Sequence, residues 1–191
     1  YGNFKEISLP ETLKEIGQLA FNGGQLVSLI LPDSVEKLGT GAFSLNKISE
    51  IKLSQTLTEI ADGLFSRNIY LKHIDLHEGL VRIGEAAFTG APLTEIKIPS
   101  TVEIIDRRAF SSHRLEKLLV PGTVKVIANN AFEQNVKFRT LKEIILEEGI
   151  EKIGQNAFKS ALIKEAILPN SLLALDPKAF NDNMDGGKQH I

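Results

Sequence analysis

The chain has 191 residues, with 22 Lys and Arg against 24 Asp and Glu, a net charge of −2 and no cysteine. Near-neutrality without a basic run argues against nucleic acid or an anionic membrane as partner, and no apolar run reaches the roughly 18 residues that a membrane span needs. Absent cysteine removes disulfides and thiolate metal sites, and the missing charged-then-apolar leader before Tyr1 implies that any signal peptide is not part of this chain.

From the start the sequence repeats itself. Units open at Phe4, Leu26, Ile48, Leu71, Leu93, Leu115, Leu141 and Ile163 and close at Phe21, Phe43, Phe65, Phe88, Phe110, Phe132, Phe158 and Phe180. The closing phenylalanines are spaced by 22, 22, 23, 22, 22, 26 and 22 residues. A fixed period of this length predicts a stacked solenoid whose stability comes from interfaces between neighbouring coils. The expected organisation is therefore one array over 1–180 and a polar tail over 181–191.

Within each unit the fourth and sixth residues are apolar, from Ile7/Leu9 through Ile96/Ile98 to Ala166/Leu168. Period 2 predicts a short half-buried strand. In five units a proline follows at once (Pro10, Pro32, Pro99, Pro121, Pro169) and stops it, because proline has no N–H for the ladder. A second apolar pair three apart, such as Val102/Ile105, predicts another extended piece on the opposite side of the coil. The x-x-A-F that closes the unit is expected to form one tight helical turn. Alanine beside the phenylalanine in seven units, with Leu64 the exception, implies close approach to the next coil. With strands about 4.8 Å apart the rod should be roughly 35 Å long.

Three places after each phenylalanine stand Gly24, Asn46, Asn68, Ala91, His113, Asn135, Ala161 and Asn183. Four asparagines of eight predict a partial ladder satisfying turn backbone groups; the plainer alternative is the ordinary turn preference of asparagine.

These units resemble leucine-rich repeats, in particular the bacterial BspA-like subclass, whose unit of about 22–23 residues reads LxxIxLPxxLxxIGxxAF. The match runs from Phe4 to Phe180; the first unit supplies Phe4, Ile7, Leu9, Pro10, Leu13, Ile16, Gly17, Ala20 and Phe21 in register. Departures are the absent turn cysteine, Ala61, Asp106, Ala128 and Asp176 at the glycine place, and an insertion before Leu141. The resemblance implies a right-handed leucine-rich-repeat solenoid of short parallel β-strands with short helical or 3-10 turns. It also implies a surface-displayed or secreted bacterial interaction protein, adhesin-like toward host or extracellular-matrix protein. It carries no catalytic motif, so no catalytic residue and no cofactor come with it.

Which residues face a partner follows from the alternation. Third-place residues (Glu6, Ser28, Glu50, His73, Glu95, Lys117, Glu143, Glu165) and fifth-place residues (Ser8, Ile30, Lys52, Asp75, Lys97, Leu119, Ile145, Ile167) point outward. The first column is an acidic stripe. The second ends in three consecutive apolar residues, so Leu119, Ile145 and Ile167, bordered by Lys117, Glu143 and Glu165, are the expected partner-binding patch. Two plainer readings are strand preference alone and a tail folded back over the patch. The insertion EQNVKFRT before Leu141 adds Phe138, either an exposed anchor or a side chain tucked onto the solenoid edge.

His73, Asp75 and His77 alternate on one strand and could converge on a divalent metal; a solvated polar surface is the simpler reading. No triad spacing, phosphate loop or tryptophan platform is present. The expected function is a non-enzymatic protein-interaction domain, with a spacer that presents neighbouring domains as the alternative and a metal-dependent site as the remotest. Because the repeats begin at once, the array is expected to be cut from a longer chain or to self-associate end to end.

Overall fold

The computed structural model describes residues 4–183 and contains parallel strands and turns with no helix among them. Twelve short strands are formed: β1 (Glu15–Ile16), β2 (Ser28–Ile30), β3 (Lys37–Leu38), β4 (Glu50–Lys52), β5 (Glu59–Ile60), β6 (Arg82–Ile83), β7 (Ile104–Ile105), β8 (Lys117–Val120), β9 (Val126–Ile127), β10 (Glu143–Leu146), β11 (Lys152–Ile153) and β12 (Ala174–Leu175). All pairings are parallel, between equivalent residues of successive coils.

The second apolar pair of the unit makes the longest ladder. Strands β5, β6, β7, β9, β11 and β12 form one six-stranded sheet, in which Ile60, Ile83, Ile105, Ile127, Ile153 and Leu175 follow one another in register. The first strand of the unit forms full ladders only at β2–β4 and β8–β10. Here the proline explains part of the difference: β4 and β10 belong to units that carry Ser54 and Glu147 in its place. Glu147 N–H then continues the ladder to the Val120 carbonyl at 3.1 Å, a bond that proline cannot make.

The third side corrects the expected helical turn. Except at Gln134 and Lys178, residues two before and two after the phenylalanine adopt left-handed φ, as at Arg108 (φ 58) and Ser112 (φ 68) around Phe110. Alternate N–H groups are thereby aimed at the next coil: Arg108 donates to Asn129, Phe110 to Ala131 and Ser112 to Glu133 at 2.8–3.1 Å. The N–H groups between them close local turns, Ala109 to Asp106 and Ser111 to Arg108. A helix would spend every N–H on its own carbonyls and leave neighbouring coils unlinked. The turn side is thus a third ladder joining the coils.

Inside it the phenylalanines stack from Phe21 to Phe180 in seven successive ring pairs, with centroids 5.1–6.1 Å apart and interplanar angles of 3–19°. Six of the rings, Phe43 to Phe158, are fully buried, and each such ring contributes about 2–3 kcal/mol by burial alone. Close approach has a measurable limit at Gly39, where an added Cβ would stand 2.3 Å from the Gln18 amide nitrogen of the preceding coil.

Candidate functional site

The outward face of β8 and β10 carries the expected patch. Leu119 and Ile145 are in-register partners, as are Lys117 and Glu143. Inward neighbours Leu118 and Val120 are buried, so alternation forces Leu119 out at 44% exposure and Ile145 at 50%. Ile167 stands in the following coil at 81% exposure, where no strand is paired to β10. Lys117 Nζ meets a Glu143 carboxylate oxygen at 2.7 Å, and that bond holds the ammonium above the usual lysine range. Glu165 is exposed in the next coil. The tail expected to compete for this surface falls, from residue 184 onward, outside the described residues.

Phe138 is neither free nor tucked away. Its ring is half-exposed and lies under the Arg114 guanidinium, 4.5 Å from the carbon to the ring centroid. The loop that holds it is anchored by Gln134, which is buried. Gln134 Oε1 accepts from the Thr140 and Leu141 amides at 3.0 Å each, and its Nε2 donates to Thr140 Oγ1 at 2.8 Å. Gln134 and Arg114 were missed at the level of sequence. The 26-residue spacing was the available signal for the first, since four extra residues need an internal anchor.

That anchor also corrects the ladder. Asn46 accepts from Leu26 N–H at 3.0 Å and donates to the Phe21 and Phe43 carbonyls at 2.7 and 3.1 Å. Asn68 and Asn183 repeat this set one coil and several coils on. Asn135 does not join them: the insertion puts it in solvent, where it accepts from Lys137 N–H while Gln134 takes the interior place. His113 serves as a ladder member, its Nδ1 accepting from Leu115 N–H at 3.0 Å and its Nε2 donating to the Phe132 carbonyl at 3.2 Å. Complete burial pushes its pKa down to about 4.

The metal reading of His73, Asp75 and His77 does not survive the geometry. His73 Nε2 lies 3.0 Å from Asp75 and its Nδ1 3.1 Å from Glu95, both on the outer surface. His77, at the proline place, sets Nδ1 against the Glu78 carbonyl at 3.0 Å and has its Nε2 buried. The three do not converge, and no metal-holding group of His, Cys, Asp or Glu exists among the described residues. No helix there is long and apolar enough to cross a membrane.

Parallel coils, a phenylalanine spine and outward-facing strand residues together define a leucine-rich-repeat solenoid. More particularly, the chain belongs to the BspA type leucine rich repeat family, whose region matches in six copies over residues 1–116 and 67–185. No curated protein matches the sequence. Among solved structures it is similar to a leucine-rich repeat protein from Bacteroides ovatus, at 25% identity and TM-score 0.64, covering 85% of this chain and 49% of that one. It is also similar to the pneumococcal vaccine antigen PcpA, at 23% identity and TM-score 0.54, over 91% and 47% of the two chains. A leucine rich cell surface protein from Faecalibacterium prausnitzii matches at 18% identity and TM-score 0.60, over 94% and 65%. The chain thus spans about half the length of the first two relatives.

Proposed function

We propose that this repeat array is a non-enzymatic, adhesin-like protein-binding domain of a bacterial surface or secreted protein. The observation that carries this reading is the exposed apolar pair Leu119 and Ile145 on a regular ladder, continued by Ile167 and rimmed by Lys117, Glu143 and Glu165. An apolar cluster inside a charged rim is what a desolvating partner contact needs. The relatives described as a cell surface protein and as a vaccine antigen support the location. Host or matrix protein is the partner class.

The test is a binding screen against host-surface and extracellular-matrix proteins with the parent chain and Ile145→Glu. A hit lost by at least about tenfold in the variant, with its thermal midpoint unchanged, is the expected result. Equal binding by both removes the patch; no binding by either favours a spacer that presents neighbouring domains. Sedimentation at increasing concentration checks end-to-end self-association separately.

A further inference from the structure

The connections that lead from each phenylalanine turn into the next first strand lie on one corner of the solenoid. Backbone bonds stack them there: Thr94 N–H donates to Lys72 O, Arg114 to Leu93, Lys142 to Glu116 and Leu162 to Leu141, at 2.7–2.9 Å. Seven such connections (22–27, 44–49, 66–72, 89–94, 111–116, 133–142, 159–164) hold nine of the 22 Lys and Arg but only two of the 24 Asp and Glu. Those two acids are already engaged, Glu116 with Lys142 at 3.6 Å and Glu133 with Lys159 at 3.5 Å. Lys47, Arg67, Lys72, Arg114, Lys137 and Lys164 are exposed and meet no carboxylate among the described residues. No run of basic residues occurs in the sequence; the stacking assembles the charge from separate coils.

Both departures from the 22-residue period fall on this corner. The single extra residue after Phe65 exposes Ile69 and Tyr70, and the four before Leu141 expose Val136 and Phe138. Tyr70 is 52% and Phe138 49% exposed, and the two sit three coils apart, about 14 Å along the rod. Between them Arg114 lies over the Phe138 ring, which leaves its in-plane donors available to a carboxylate. Tyrosine and arginine beside apolar side chains are the residue types that dominate protein contacts.

We propose that this corner is a second docking surface, separate from the β8–β10 face, for an acidic polypeptide segment that carries aromatic or aliphatic side chains between its acids. Charge complementarity selects the acids, and Ile69, Tyr70, Val136 and Phe138 select the apolar side chains. A polysulfated chain would meet the cations but would leave Ile69 and Val136 without an apolar counterpart.

The test measures binding of a random glutamate–tyrosine copolymer to the full chain, beside poly-glutamate and heparin. The copolymer is expected to bind at low salt and to weaken by about tenfold between about 0.05 and 0.3 M salt. Lys47→Glu/Lys72→Glu/Lys137→Glu should weaken it by at least another factor of about ten. Lys37→Glu/Lys52→Glu/Lys152→Glu has the same net charge but alters the sheet faces, and should change it by less than about threefold. Tyr70→Ala/Phe138→Ala should weaken the copolymer and leave poly-glutamate binding unaltered. Equal losses in the two charge variants, tighter heparin binding, an aromatic pair without effect, or no copolymer binding would each overturn the proposal. Ile145→Glu leaves this corner intact, so failure here and failure at the β8–β10 face are read separately.

Discussion

His113 shows how one ladder position sets a pH response. Its neutral ring accepts from Leu115 and donates to Phe132, so adding a proton at Nδ1 would place two donors face to face. The folded-state pKa, near 4, lies below the ordinary histidine value of 6.5. The unfolded chain therefore takes up a proton first as pH falls, and stability drops between about 6.5 and about 4. The full loss is about 3 kcal/mol, with about 2 kcal/mol gone by pH 5. His113→Asn carries no titrating ring and should remove that component; denaturant unfolding of both chains at pH 7 and 5 measures it. At the neighbouring asparagines the two environments should differ. Asn46→Ala strands one buried amide and loses bonds to two carbonyls, for an expected cost of about 3 kcal/mol, whereas Asn135→Ala at the exposed loop should cost under about 1 kcal/mol.

Among elements, the closing turn is the one whose chemistry differs most from its sequence appearance. Alanine and phenylalanine are compatible with a helix, yet the positions on either side accept a left-handed backbone from leucine, arginine, serine and asparagine alike. Each non-glycine residue there costs about 1 kcal/mol, and the inter-coil bonds from the same residues offset it. Arg108→Gly at φ 58 is thus expected to be neutral or stabilising by up to about 1 kcal/mol. Arg108→Val should destabilise by more than about 1 kcal/mol, since a β-branched side chain tolerates that conformation least. Thermal melts of the two variants check the pair. The first strand of the unit was legible in its alternation, but the strength of its ladder was not. That depends on whether two successive coils both keep their N–H groups aligned, as Glu147 does toward Val120.

At the scale of the molecule, each coil contacts only its neighbours, so a whole unit is removable. Deleting residues 93–114 joins Pro92 to Leu115 and restores the register, with Phe88 meeting Phe132 in place of Phe110. The shortened chain should fold cooperatively with a denaturant m-value lower by roughly an eighth. Deleting half a unit, residues 93–103, would instead leave one coil without its first strand and should not fold cooperatively; circular dichroism with urea titration distinguishes the two.

By itself the sequence determined the period, the phenylalanine spine, the inward and outward alternation and hence Leu119, Ile145 and Ile167, because a solenoid copies local pattern directly into contact. The tertiary structure alone decided what depends on stacking separate coils. It turned the expected helical corner into a ladder, replaced Asn135 by Gln134, and faced His77 away from His73 and Asp75. It also gathered isolated lysines and arginines from five connections onto one corner. Such features are set by which residues lie about 4.8 Å apart across coils, a distance that neighbours 22 residues apart in sequence acquire only once the chain is wound.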